Sequence, residues 1–147
     1  VALATIISKA RELILRVSGM GLVYEYEIWV AQLSALRALC VVNGRVNVWT
    51  IADESTAEHR LASRANENHI LLVIRGYYAL ADNGATKIAF RLIYEGIRTM
   101  FRDKINLEGV AEKSDPIQIR IAEERYFCEV LCHYVEMVLI VHELIDW

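Results

Sequence analysis

The stretch ALCVVNGRVNVWTI, residues 38–51, decides how the chain is read. Asn43-Gly44 is the preferred centre of a two-residue type I′ turn, because both central positions need positive φ. On either side stand Cys40-Val41-Val42 and Val46-Asn47-Val48-Trp49, rich in β-branched residues. A helix drawn through the same segment would carry Gly44 and several β-branched side chains in its interior, at up to about 1 kcal/mol each. The pattern predicts a β-hairpin, and with it an α+β chain; the two Asn-Gly pairs argue against an all-α bundle.

Upstream, ALATIISKARELILRV places Leu3, Ile6, Ile7, Ala10, Leu13, Ile14 and Val17 on one stripe at helical spacing, and SGMG ends the helix. In LVYEYEIWV (22–30), Tyr24 and Tyr26 alternate with Glu25 and Glu27, which predicts a half-buried strand. Downstream, Ser55 and Glu58 have capping-box spacing, and Ala57, Leu61 and Ala65 form a short stripe, predicting a second helix. SRANENH (63–69) then reads as its C-terminal end, where Asn tolerates a left-handed conformation.

HILLVIRGYYALADNGATKIAFRLIYEG repeats the hairpin logic about Asn83-Gly84. That turn pairs Tyr77 with Phe90, Val73 with Tyr94 and Ala79 with Ile88, and puts these residues, with Leu92, on a core face. The opposite face is mixed. Its apolar members, Ile74, Tyr78, Leu80 and Ile93, are the candidate interface residues. A polar connector, RDKINLEGVAEKSD, leads to Asp115-Pro116, an N-cap with proline at the first helical position. The stripe Ile117, Ile121, Cys128, Leu131, Val135, Val138, His142 and Ile145 predicts a long C-terminal helix, although IQIRI alternates as a strand would. The predicted order is helix, three antiparallel strands, helix, two-strand hairpin and long C-terminal helix, one α+β domain over residues 1–147.

The chain has 147 residues, of which 55% are hydrophobic, and a net charge of −3. Its longest uncharged apolar run, IWVAQLSAL (28–36), is about half of the roughly 20 residues that a membrane-spanning helix needs. Surplus apolar surface without a spanning segment points to a homo-oligomer, most simply a dimer. Interspersed charges with no Lys/Arg cluster give no footprint for nucleic acid. No signal-peptide pattern opens the sequence. Three cysteines form no disulfide framework. Together these features predict a cytoplasmic setting.

Motifs for specific chemistry are few. CEVLCH (128–133) is one residue longer than the C-x-x-C-H of c-type haem attachment, and its cysteines read as buried small apolar groups. Glu129, His133 and Glu136 fall at i, i+4 and i+7 of the predicted helix, a spacing that metal sites use. Their second half is missing from the local sequence; Glu54, Glu58, His59, Glu67 and His69 would supply it only through tertiary contact. Phosphate-binding glycine loops and the G-x-S-x-G elbow do not occur. No catalytic residue, metal or cofactor is predicted.

The element order resembles that of the small acidic chaperones of bacterial type III secretion and of the related bacterial sensory-transduction-regulator domains. In both, an Asn-containing helix end precedes a strand pair, as LASRANEN precedes YYALADNGATKIAFRLIYEGI here. The resemblance implies a non-catalytic, chaperone-like homodimer that holds an extended partner segment against its sheet. A rival resemblance is to NTF2-like cones, since GLVYEYEIWV followed by LCVVNGRVNVWTIAD looks like the closing strands of that fold. It implies a small enzyme or small-molecule binder with an enclosed pocket.

Overall fold

The computed structural model describes residues 2–27, 38–42, 44–81 and 84–147. Of the described residues 50% are strand and 26% helix. Helix α1 (Leu3–Leu15) buries Ile6, Ile7, Ala10, Leu13 and Ile14, the stripe its sequence displays. Strand β1 covers only Leu22–Tyr24 of the predicted tyrosine-rich strand and runs parallel to its neighbour instead of antiparallel; residues 25–27 are irregular, and 28–30 lie outside the described residues. Strands β2 (Val41–Val42) and β3 (Arg45–Ala62) pair as Val42↔Arg45, so the chain reverses over Asn43-Gly44 as the opening stretch requires. Gly44 has φ +76°; Asn43 itself is outside the described residues.

From here the predicted layout fails. Residues 55–65 are not a helix. They complete β3, turn at Ser63-Arg64, and return as β4 (Ala65–Ala79), with Ala62 opposite Ala65. Every residue from 53 to 64 is exposed, so neither face of this arm needs apolar side chains. Period-two alternation is a signature of one-sided burial, and here nothing imposes it.

The second predicted hairpin is also absent. Gly84, at φ +73°, leads into helix α2 (Ala85–Asp103), which buries Thr86, Phe90, Ile93, Ile97 and Phe101. That stripe has helical spacing across the whole span, whereas the apparent alternation used Ile88 and Leu92, which are 62% and 71% exposed. Tyr77 does not meet Phe90 across a ladder; it pairs with Val48 and Tyr134.

The long C-terminal helix is replaced by a third reversal. After β5 (Lys113–Ser114), strand β6 (Gln118–Phe127) turns at Cys128-Glu129 into β7 (Val130–Asp146). Both turn residues have positive φ, 55° and 61°, the requirement of a type I′ turn met without Asn or Gly. β7 is buried on both faces for most of its length, so its sequence lacks the alternation of a half-exposed strand.

Among the described residues seven strands form one mixed sheet in the order β1-β3-β4-β7-β5, with β2 beside β3 and β6 beside β7. β1 runs parallel to β3, and the other pairs are antiparallel. Helices α1 and α2 cover one face. Their side chains pack on Trp49, Ile51, Leu72, Ile74, Met137 and Leu139 to make the main core. A smaller cluster, Cys40, Val46, Val48, Ala79, Cys128 and Cys132, gathers where the β2–β3 and β6–β7 turns converge. Among the described residues no helix is long and apolar enough to cross a membrane.

Candidate interaction site on the sheet

Opposite the helices, alternate residues of three neighbouring strands bring Thr50, Arg75 and Glu136 into one row, and Val48, Tyr77 and Tyr134 into the next. With Arg125 and Phe127 of β6 and Glu27 they line an open concavity of about 350 Å³. At its floor lies Glu136, 8% exposed. One of its carboxylate oxygens accepts from the Tyr134 hydroxyl at 2.6 Å and from Arg75 Nε at 3.2 Å; the other accepts from Arg120 Nε at 2.6 Å. Arg75 also pairs with Glu27, and Arg120 reaches Glu54 at 3.2 Å. Arg125 lays its guanidinium 3.7 Å from the centre of the Tyr134 ring, and Tyr77 stacks on Phe127 at 4.0 Å.

The electrostatics of this floor favour fixed charge. Burial works against ionising Glu136, but the Tyr134 hydroxyl and the Arg120 and Arg75 guanidiniums outweigh it and hold the carboxyl below its usual range. Burial, with the hydrogen bond to Glu136, pushes the Tyr134 phenol up. Neither group exchanges a proton near neutrality. The row offers recognition by guanidinium, carboxylate and aromatic faces.

The thiols stand apart from it. Cys40, Cys128 and Cys132 are buried and form no disulfide. Burial pushes Cys40 and Cys132 up to about 12, and neighbouring thiols add to the effect. They remain protonated and unreactive as nucleophiles.

The residues singled out from sequence are placed differently from their expected positions. Ile74 and Ile93 belong to the main core under the helices, at 0% and 3% exposure, instead of an outer face. Tyr78 is partly buried against the same core, its ring stacked 5.9 Å from Phe90. Leu80 is partly buried just beyond β4, where its N–H donates to Leu131 O at 3.1 Å. Glu129, His133 and Glu136 do not share a face. Glu129 sits in the β6–β7 turn, and His133 and Glu136, an odd and an even residue of one strand, point to opposite sides of the sheet. His133 meets Thr86 Oγ1 at 3.0 Å on the helix side. Burial lowers its pKa, although Glu124 nearby acts in the other direction.

Sequence reasoning missed the partnership of Arg75 with Glu136 because it is made across a β4–β7 ladder that no local motif encodes. A cue did exist: a lone arginine, Arg75, inside the apolar run ILLVIRGYYA demands a counter-charge. The segments that carry the chaperone resemblance are, in the structure, the tip of a hairpin arm (residues 61–68) and the end of β4 with α2 (residues 77–97). No protein-family model matches the chain, and no curated protein matches it in sequence.

Proposed function

We propose that the chain is a non-catalytic protein-binding module that works as a homodimer and holds an extended partner segment as an added strand. The observation that carries this reading is the outer edge of β6. Among the described residues β6 pairs with β7 alone, leaving a ten-residue edge open. The two-residue turn sets its hydrogen-bonding phase: Phe127, Arg125 and Glu123 bond to β7, while Tyr126, Glu124 and Ala122 aim their backbone groups outward. Consistent with that phase, Leu131, opposite Tyr126, gives its carbonyl to Leu80 on the far side. An added strand would take those outward groups, and the Arg125–Tyr134 and Tyr77–Phe127 stacks nearby would grip its side chains. Surplus apolar surface, including Ile88, Leu92 and Tyr126 at 62–75% exposure, supports self-association. Buried cysteines that form no disulfide would suit a reducing cytoplasmic setting.

Ala122→Pro removes an outward N–H while sparing the bonds to β7, and so isolates the edge. Peptides selected on the native chain from a displayed random library should be lost on A122P, with the thermal melt unchanged. Selection that yields nothing, or peptides indifferent to A122P, overturns the reading. Sedimentation at low micromolar concentration should give a dimer; a clean monomer removes that part of it.

The concavity favours a second reading, a binder of small aromatic carboxylates: Arg75 and Arg125 supply cationic forks beside the Tyr77 and Tyr134 rings. Titration with benzoate would then give saturable binding that Arg75→Gln abolishes, and equal binding of benzylamine would exclude it.

A further inference from the structure

On the face of the sheet that carries Arg75 and Glu136, further along towards the arm, three strands bring three histidines and one carboxylate together, and a second carboxylate joins them from the residue after β5. His69 of β4 stands directly opposite His142 of β7, and Glu67 stands opposite His59 of β3. The His69 and His142 rings lie 4.3 Å apart, and those of His59 and His69 4.5 Å. One oxygen of Glu67 lies 2.6 Å from His69 Nε2 and 2.8 Å from His142 Nδ1. The other nitrogen of His142, Nε2, lies 3.0 Å from Asp115 Oδ1, just before β6.

The hydrogen-bond inventory of His142 is the decisive feature. An ionised carboxylate only accepts, and a neutral imidazole donates from one nitrogen alone. Both nitrogens of His142 face carboxylate oxygens, so the arrangement calls for an extra positive charge on the Glu67 side. An Nε2–H donor would serve the Asp115 side and leave Nδ1 facing Glu67. That is the outer-shell partnership which metal-bound histidines have, with the free ring N–H given to a carboxylate.

We propose that Glu67, His69 and His142 bind a divalent transition ion of the zinc class, with Asp115 orienting His142 as a positioning residue. The three donor atoms lie within 4.8 Å of one another. Tetrahedral zinc with bonds of roughly 2.0–2.1 Å needs its donors about 3.3 Å apart, so the pair now at 2.6 Å and the pair at 2.8 Å must open by well under 1 Å. Glu67 and His69 have the freedom to do so, being 20% and 36% exposed at the side chain, while His142 at 9% is the fixed point. Two imidazoles and a carboxylate suit zinc over calcium or magnesium, which prefer all-oxygen shells. The fourth position opens to water or to His59, whose ring centre lies 4.5 Å from that of His69. The ion would fasten β4 to β7 where the exposed β3–β4 arm leaves the core.

The test uses the full chain, stripped with chelator and titrated with zinc chloride against a chromophoric competitor. The native chain should bind one equivalent with a dissociation constant of 10 μM or tighter. His69→Ala should bind at least tenfold more weakly, and Asp115→Asn about 10- to 100-fold more weakly. Should H69A prove misfolded by circular dichroism, His69→Gln takes its place. X-ray absorption at the zinc edge should show nitrogen and oxygen neighbours and no sulfur. Absence of tight binding, binding unchanged in the His69 and Asp115 variants, or a sulfur shell from the buried thiols would each overturn the proposal.

Discussion

At Gly76 a single added carbon would stand 2.2 Å from the ring of Trp49, its partner in the β3–β4 ladder. The indole lies across the glycine, buried at 0% exposure, with its N–H held by Asn47 Oδ1 at 3.0 Å. Gly76→Ala should therefore cost about 1–3 kcal/mol or more, as overpacking of a filled core does. A lowered melting temperature with a red-shifted tryptophan emission would show it, and an unchanged melt would contradict it. Glu108 makes a different kind of contact. It sits between Leu107 and Gly109 in a run of three positive φ angles, with Leu107 buried in the core. Both its oxygens accept from Arg16, at 3.0 and 2.8 Å, tying the connector to α1. That fork outweighs the opposing effect of burial and lowers its carboxyl pKa to about 2. The folded value lies below the unfolded one, so the contribution is complete above the ordinary range near 4.5 and is lost as pH falls towards 2. Melting temperatures of the native chain and Glu108→Gln should differ at pH 6 and converge between pH 4.5 and 2.

Individual elements show which signals a sequence carries on its surface. Helix α1 and the Asn43-Gly44 hairpin were readable because each places its evidence within a few residues, as a stripe in one and a turn dipeptide in the other. The run HILLVIRGYYA read correctly as a strand for the same reason. The arm at 53–64 was hidden because its strand state is imposed by pairing with β4 and leaves no trace in polarity. Helix α2 was visible in Phe90, Ile93, Ile97 and Phe101, but Asn83-Gly84 before it offered a competing turn. The β6–β7 hairpin was hidden by its turn, since Cys128 and Glu129 occupy positions where Asn-Gly would have announced a reversal. Left-handed backbone is costly for a side chain with a Cβ and free of that cost for glycine. Glu129→Gly should accordingly stabilise the chain by up to about 1 kcal/mol, measurable as a higher denaturant midpoint at unchanged slope. A lower midpoint would show that the glutamate side chain itself holds the turn. The candidate sites were the least legible part. Arg75–Glu136 and Glu67–His69–His142 each depend on the β4–β7 register, which no motif specifies.

For the molecule as a whole, the central fact is that β4 and β6 share one partner, β7, and that this partner follows them both in the chain. β4 reaches it only across α2, β5 and β6, so the hairpins are joined by a long ladder that is non-local by sequence. Such topologies fold in roughly milliseconds to seconds rather than microseconds. The order also matters during synthesis, which delivers the N-terminal elements first. A nascent chain stalled with only residues 1–129 outside the ribosome would display Ile70, Leu72 and Ile74 on a strand lacking its neighbour. It should be cut readily throughout β3 and β4 by added protease, and extension through Asp146 should abolish that cleavage. The interval between those two lengths is when the growing polypeptide most needs a chaperone.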